Sequence, residues 1–227
     1  MIEQIKLRDS TDAFAISLRP TDKAALVAGF EALTPDSRRH RFLASVKHLS
    51  ESMLERLVDD VDGIDHTALV LCVETSPDVY DPVAVARMVR YADVPDAADL
   101  AVTVKDEWQG RGVATGLLDV LMRQRPVGVD RIVTEVFNDN EASLSMLRRL
   151  GHTTVKDVGS GVSEVAVELP PVPSVAGSRV PSGQGAIDDT RVLVPGPSAS
   201  AVPRPLLSDP GHRHALRTRD QVCPWFN

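Results

Sequence analysis

Hydrophobic and polar positions alternate at two different periods along this chain, and the points where the period changes predict where strands run into helices. Leu100, Val102 and Val104 alternate with Ala101, Thr103 and Lys105, which predicts a strand. Ala114, Leu117, Leu118, Leu121 and Met122 then recur at helical spacing, which predicts a helix directly downstream. The pattern occurs a second time. Arg131 to Phe137 is a β-branched run of strand character. Asn138-Asp139-Asn140-Glu141 supplies a helix start, and Leu144, Leu147 and Leu150 follow at helical spacing. Gly151 stands where a C-terminal cap is expected.

Upstream, Ala13 to Arg19 predicts an opening strand, and Asp22 to Leu33 a helix with Leu26, Phe30 and Leu33 on one face. Thr34-Pro35 stops that helix and starts a short one carrying Arg38, Arg39, His40 and Arg41 before Phe42. Ser50 to Val61 predicts a third helix. Thr67 to Glu74 is nearly all apolar, as a strand buried on both faces is. A polar turn over Thr75 to Pro82 leads to a strand over Val83 to Tyr91. Val94 to Ala97 connects it to the strand of Leu100, which begins at Asp99. Thr153 to Val158 and Val162 to Leu169 predict a hairpin across Gly159-Ser160-Gly161. The predicted order is strand, helices, three strands, helix, strand, helix, hairpin.

Composition divides the chain near residue 170. Of the 227 residues 43% are apolar, enough for a core in one or two domains. Residues 1–169 carry 19 basic and 28 acidic side chains, a net of −9. Residues 170–227 carry 6 Arg, 4 Asp and 10 of the 16 prolines, with neither strand nor helix period. The break predicts a folded domain over 1–169 and a disordered tail over 170–227. The net charge of −7 argues against a nucleic-acid partner. The two cysteines, Cys72 and Cys223, form no close pair, and residues 1–9 lack the apolar segment of a signal peptide. A cytoplasmic location is therefore expected. No apolar run approaches the ~20 residues of a membrane helix, so no membrane partner is expected. No metal is expected either, since His212 and His214 lack further ligands nearby.

The turn Gln109-Gly110-Arg111-Gly112-Val113-Ala114 lies between the first strand and helix. Backbone N–H groups there meet the positive end of a helix dipole, which makes an anion site suited to phosphate. Glycine at 110 and 112 keeps side chains from holding a phosphate off the backbone. A nucleotide-binding Walker loop ends in Gly-Lys-Ser/Thr, and this turn has no Lys. A dinucleotide fingerprint needs a third glycine where Thr115 stands, and it follows its strand directly. Here Lys105 to Gln109 intervene.

The hexapeptide resembles instead the Gln/Arg-x-x-Gly-x-Gly/Ala signature of the GNAT family of N-acetyltransferases. That family's second motif runs Asn-x-x-Ala, then Tyr four residues before Gly-Phe. Asn140 matches the Asn, Ser143 replaces the Ala, Leu147 the Tyr, and Gly151-His152 the Gly-Phe. The stretch Leu33 to Phe42 looks like a segment of GNAT domains of the bacterial protein-lysine acetyltransferase type. The resemblance spans roughly Leu18 to Leu169. It implies an α/β (α+β) GNAT fold, with a mixed, mostly antiparallel central sheet flanked by helices on both sides.

The resemblance also implies acetyl-CoA as cosubstrate, without a metal. Its pyrophosphate would sit on the N–H groups of Gln109, Gly110, Arg111, Gly112, Val113, Ala114 and Thr115. Its pantetheine arm would pair with the backbone of Val102, Thr103 and Val104. Asn140 would lie near the thioester. The partner is an amine acceptor, a protein lysine or a small molecule, and the chain is expected to be a monomer or homodimer. A lysine amine, with a pKa of ~10.4, must lose a proton before it attacks. The candidate bases are Asp99, Glu107 and Glu135. Bacterial protein-lysine acetyltransferases, which resemble this chain at Ala98-Asp99-Leu100-Ala101, carry an acidic residue, usually Glu, at the position of Asp99. Glu107, beside Trp108, is expected to face solvent, and Glu135 to serve through water. Leu147 cannot return a proton to the departing thiolate as the family's Tyr does. Neither motif holds a cysteine, so direct attack by the amine is expected. The missing Tyr leaves a second reading, a GNAT-fold module that binds acyl-CoA without catalysis.

Overall fold

A computed structural model describes residues 2–76 and 79–171. From residue 172 on, the predicted tail lies outside the described residues. The strands are β1 (Ile2–Lys6), β2 (Asp12–Ser17), β3 (His66–Ser76), β4 (Val79–Arg90), β5 (Ala97–Val104), β6 (Arg131–Phe137), β7 (His152–Gly159) and β8 (Val162–Glu168). They form one sheet in the order β1-β2-β3-β4-β5-β6-β8-β7. Every neighbouring pair is antiparallel except β5 and β6. The helices are α1 (Lys23–Ala32), α2 (Pro35–Phe42), α3 (Glu51–Leu54), α4 (Val113–Arg123) and α5 (Glu141–Leu150).

Alternate residues of β3 divide the core into two layers. Leu69, Leu71 and Val73 pack with Leu117, Leu118 and Leu121 of α4 and Leu147 of α5. Ala68, Val70 and Cys72 face the other way, against Leu18, Leu57 and Val58. Because β3 is covered on both faces, its sequence is apolar without alternation, as expected.

Several element limits differ from the sequence expectation. The sheet opens with β1, a strand absent from the expected order. Its Ile2 is exposed and its Glu3, Gln4 and Lys6 are polar, so an edge strand carries almost no hydrophobic signal. The expected turn over Thr75 to Pro82 is largely β3–β4 ladder, because a register shift between Leu71 and Cys72 accommodates Pro82 inside β4. The third helix is α-helical only over Glu51–Leu54 and then widens into a π turn over Glu55–Asp59. β5 starts at Ala97 rather than Asp99, because the small, buried Ala97 and Ala98 pair with β6.

Gly151 has a different reason from the expected cap. Its φ of 171° is extended backbone that any residue adopts. A Cβ there would lie 1.9 Å from the Glu168 carbonyl oxygen of β8. The constraint is close backbone approach between the α5–β7 junction and β8. Gly151→Ala is therefore expected to cost at least the ~1–3 kcal/mol of an overpacked core site. A melting temperature within a degree of wild type would contradict this.

Candidate active site

β5 and β6 run parallel but pair only at Ala97–Arg131 and Ala98–Ile132. Beyond Ala98, β5 stays with β4 as far as Val104, while β6 stays with β8. The facing edges of β5 and β6 therefore separate from Asp99 onward. The Thr134 hydroxyl donates to the Leu100 carbonyl at 3.3 Å across the opening. A parted strand edge of this kind can accept an extended ligand through its backbone groups.

The split leads to the start of α4. Gly112 is the N-cap, with φ 86°, and Gly110 has φ 77°. Both conformations are costly for residues with a Cβ. A Cβ on Gly110 would meet nothing within 4 Å, so open space lies beside the turn. The first bond into α4 runs from Gly116 N–H to Gly112 O at 2.9 Å, so the amides of Val113, Ala114 and Thr115 stand at its open end. Residues 102–104, 109, 110 and 112–115 line one cleft of about 690 Å³ together with Asn140. Arg8, Arg41 and Arg149 line it too and can meet phosphate, beside the carboxylates of Asp36, Asp106, Asp139 and Glu141.

Helix α2 closes one side of the cleft and is fixed at both ends. Thr34 caps it by accepting from Ser37 N–H at 3.2 Å. Asp106 accepts from Thr34 N–H at 3.0 Å and Ser37 Oγ at 2.6 Å. Burial raises the Asp106 pKa, but these hydrogen bonds outweigh it and hold the carboxyl below its ordinary value. At the other end Asp139 pairs with Arg39 and His40, each at 3.2 Å. Hydrogen bonds from Arg39 and His40 likewise hold Asp139 below the usual carboxylate range. Arg39 also stacks on Phe137, 3.8 Å from the ring centre.

Where the strands part, a recess of about 70 Å³ is lined by Asp99, Ala101, Thr134, Glu135, Asn140, Ser143 and Leu147, among others. Asp99 is buried, lies two residues inside β5, and is opposite Val89. It is a counter-charge for Arg87, which is buried. Burial, then the neighbouring Arg41, push the Arg87 pKa well below its ordinary value, and Asp99 opposes them. Arg87 Nη1 donates to Leu57 O at 3.0 Å and to His66 Nε2 at 3.3 Å. Nε2 is thus an acceptor, which requires a neutral imidazole.

Burial, then the Arg87 charge, lower the His66 pKa from 6.5 to about 4. The unfolded chain binds this proton near 6.5 and the folded chain only near 4. The contribution to stability is therefore fully present above pH 6.5 and lost as pH falls toward 4. His66→Gln is expected to flatten the fall in melting temperature across this window. An unchanged slope would contradict the assignment.

The sequence-derived site residues thus fall into two groups. Val102, Thr103, Val104, Gly110, Gly112, Val113, Ala114, Thr115 and Asn140 line the cleft, and Asp99 and Glu135 line the recess joined to it. Asn140 Oδ1 is committed to capping α5 through Ser143 N–H at 3.1 Å, which leaves its amide nitrogen to donate to a ligand. Three candidate residues lie outside these groups or are bonded elsewhere. Glu107 is exposed on a 3₁₀ turn over Asp106–Trp108 and lines neither cavity. The Arg111 side chain stacks on Trp108 and pairs with Asp9 at 3.8 Å, outside the cleft lining. The Gln109 N–H is already bonded to Asp106 O, and its side chain bonds Val104 O, so Gln109 braces the turn. Arg8, Arg87 and Arg149 were not foreseen. Arg8, between β1 and β2, and Arg87, on β4, are distant in sequence from the rest of the site, whereas Arg149 lies on α5, the helix that Asn140 caps.

The family model described as "Acetyltransferase (GNAT) family" matches residues 35–152, which span α2, the strand split and α5. The chain belongs to this family. GNAT proteins use acetyl-CoA. A relative, acetyltransferase Pat of Mycolicibacterium smegmatis, is 34% identical over 137 residues. The match covers 60% of this chain but only 40% of that relative. The GNAT domain of S. lividans PAT superposes with a TM-score of 0.65 at 27% identity, covering 74% of this chain and 97% of that one. A cAMP-binding acyltransferase from Mycobacterium smegmatis gives 0.52 at 26% identity, over 79% of this chain and 50% of that one. Within the GNAT frame, Leu147 occupies the place of the motif tyrosine and is fully buried, without a proton to give. Among the described residues no helix is long and apolar enough to cross a membrane. No group of three or more metal-ligating side chains occurs among them.

Proposed function

We propose that the chain transfers an acetyl group from acetyl-CoA to a primary amine, by direct attack with a carboxylate as base. The observation that carries this reading is the opening of the β5–β6 split onto the α4 N-terminus within a single cleft. A pyrophosphate fits the amides of residues 113–115, with the arginines Arg8 and Arg149 on the cleft wall. The pantetheine arm fits the parted edge of β5 over Val102, Thr103 and Val104. The thioester end then meets the recess of Asp99, Glu135 and Asn140. Asp99 takes the amine proton directly or through one water, and Glu135 is the rival base. The acceptor is a protein lysine or a small-molecule amine.

Leu147 favours one alternative, an acyl-CoA-binding module without catalysis. Steady-state consumption of acetyl-CoA with an amine library separates the two. Turnover with at least one amine, with the acetylated product seen by mass spectrometry, is expected. Binding of acetyl-CoA without turnover across the library would establish the alternative.

A further inference from the structure

A second cavity, of about 360 Å³, lies beneath α1 and α2, on the face of the sheet away from α4. Its walls are mostly apolar: Leu26, Phe30, Phe42, Leu57, Val70 and Val85. The volume is in the range of small-molecule sites. Arg41 and Phe42 line this cavity and the Asp99 recess alike, and Thr103 lines both this cavity and the cofactor cleft. Strand alternation puts Asp99, Ala101 and Thr103 on one face of β5, the face toward this cavity. The charged groups at its edge have partners close by. Lys105 pairs with Asp81 at 2.9 Å, and Arg87 is countered by Asp99. What remains for a ligand is a largely apolar chamber, with Asp22 and Arg41 also on its wall, that shares Arg41 and Phe42 with the recess of Asp99.

We infer that this chamber holds the body of the acceptor, and that the acceptor is a small primary amine on a compact apolar or aromatic frame. This rests on the acetyl-transfer reading above and narrows it. A half-open chamber lined by two phenylalanines and branched aliphatics rewards a rigid apolar body. A lysine presented by a protein would fill it only with a thin methylene chain. In the reaction the amine lone pair forms a bond to the thioester carbonyl carbon. The carbon–sulfur bond breaks with its electron pair leaving on sulfur. The proton lost from nitrogen passes to the Asp99 carboxylate and then to solvent.

The test uses the full-length chain and two readouts. The first is thermal shift with 2-phenylethanol, an unreactive analogue that reports binding without turnover. The second is acetylation by acetyl-CoA of 2-phenylethylamine, ethylamine and a lysine-containing peptide. Gly29 lies on the cavity wall, and a Cβ there meets nothing within 4 Å, so Gly29→Leu fills the chamber from α1. Leucine is also the better helix former. Val70→Phe fills it from the strand floor if the first variant fails to fold. The expected result is a stabilising shift with 2-phenylethanol that either filling variant abolishes. In parallel, kcat/KM should be on the order of 10- to 100-fold higher for 2-phenylethylamine than for ethylamine. Both filling variants should keep the stabilisation by acetyl-CoA. No shift with 2-phenylethanol, or faster acetylation of the peptide than of 2-phenylethylamine, would overturn the inference and leave acetyl transfer standing. If no amine is acetylated although 2-phenylethanol binds, the acetyl-transfer reading fails, and with it the acceptor role of the chamber.

Discussion

Replacing Asp99 with asparagine is expected to lower kcat/KM for the acceptor amine by ~10²–10⁴, the usual loss on removing an acid–base group. Acetyl-CoA affinity should barely change, because Asp99 lines the recess and not the cofactor cleft. The remaining activity should rise more steeply toward high pH, where free amine no longer needs a base. Asp99 is also the counter-charge of the buried Arg87, so the variant loses stability too. Rates must therefore be compared at a temperature where both proteins are folded. Asp99→Glu keeps the charge and should retain activity, which separates basicity from mere occupancy. If Asp99→Asn keeps most of its activity while Glu135→Gln loses it, the base is Glu135.

Gly112→Asp is expected to abolish stabilisation by acetyl-CoA. The substitution places a carboxylate where the phosphates are to lie, at the N-terminus of α4. It also strains a backbone with φ 86° and brings a Cβ within 3.1 Å of the Arg8 Cβ. The free variant will therefore melt lower, by the ~1–2 kcal/mol of a left-handed residue. The diagnostic quantity is the ligand-induced rise over each variant's own baseline, which follows mass action. Gly110→Asp provides the second test, since its Cβ points into open space. It carries only the strain of φ 77° and the repulsion of phosphate. A wild-type rise in both variants would move the pyrophosphate away from this turn.

The half of the candidate site proposed for the cofactor is legible in the sequence because that half is local. The glycine turn, the N-terminus of α4 and the Asn140 cap each fall within a few residues, and period and spacing expose them. The acceptor half is tertiary. Arg87 comes from β4, Arg41 from α2 and Asp99 from β5, and nothing in their local sequences announces that they meet. Glu107, beside Trp108, is expected from the sequence to face solvent, and it is exposed on the 3₁₀ turn over Asp106–Trp108. β1 stayed hidden because an exposed edge strand needs no hydrophobic face. Likewise Gly151 was visible as a glycine, but its cause, the Glu168 carbonyl 1.9 Å from a would-be Cβ, belongs to a strand seventeen residues on.

The central claim is that the cleft between β5 and the start of α4 binds acetyl-CoA. Titration calorimetry of acetyl-CoA into the full-length chain tests it most directly. Saturable binding to one site per chain, lost in Gly112→Asp and kept in Asp99→Asn, is the predicted result. Absence of binding at millimolar acetyl-CoA, or equal binding by wild type and Gly112→Asp, would contradict it.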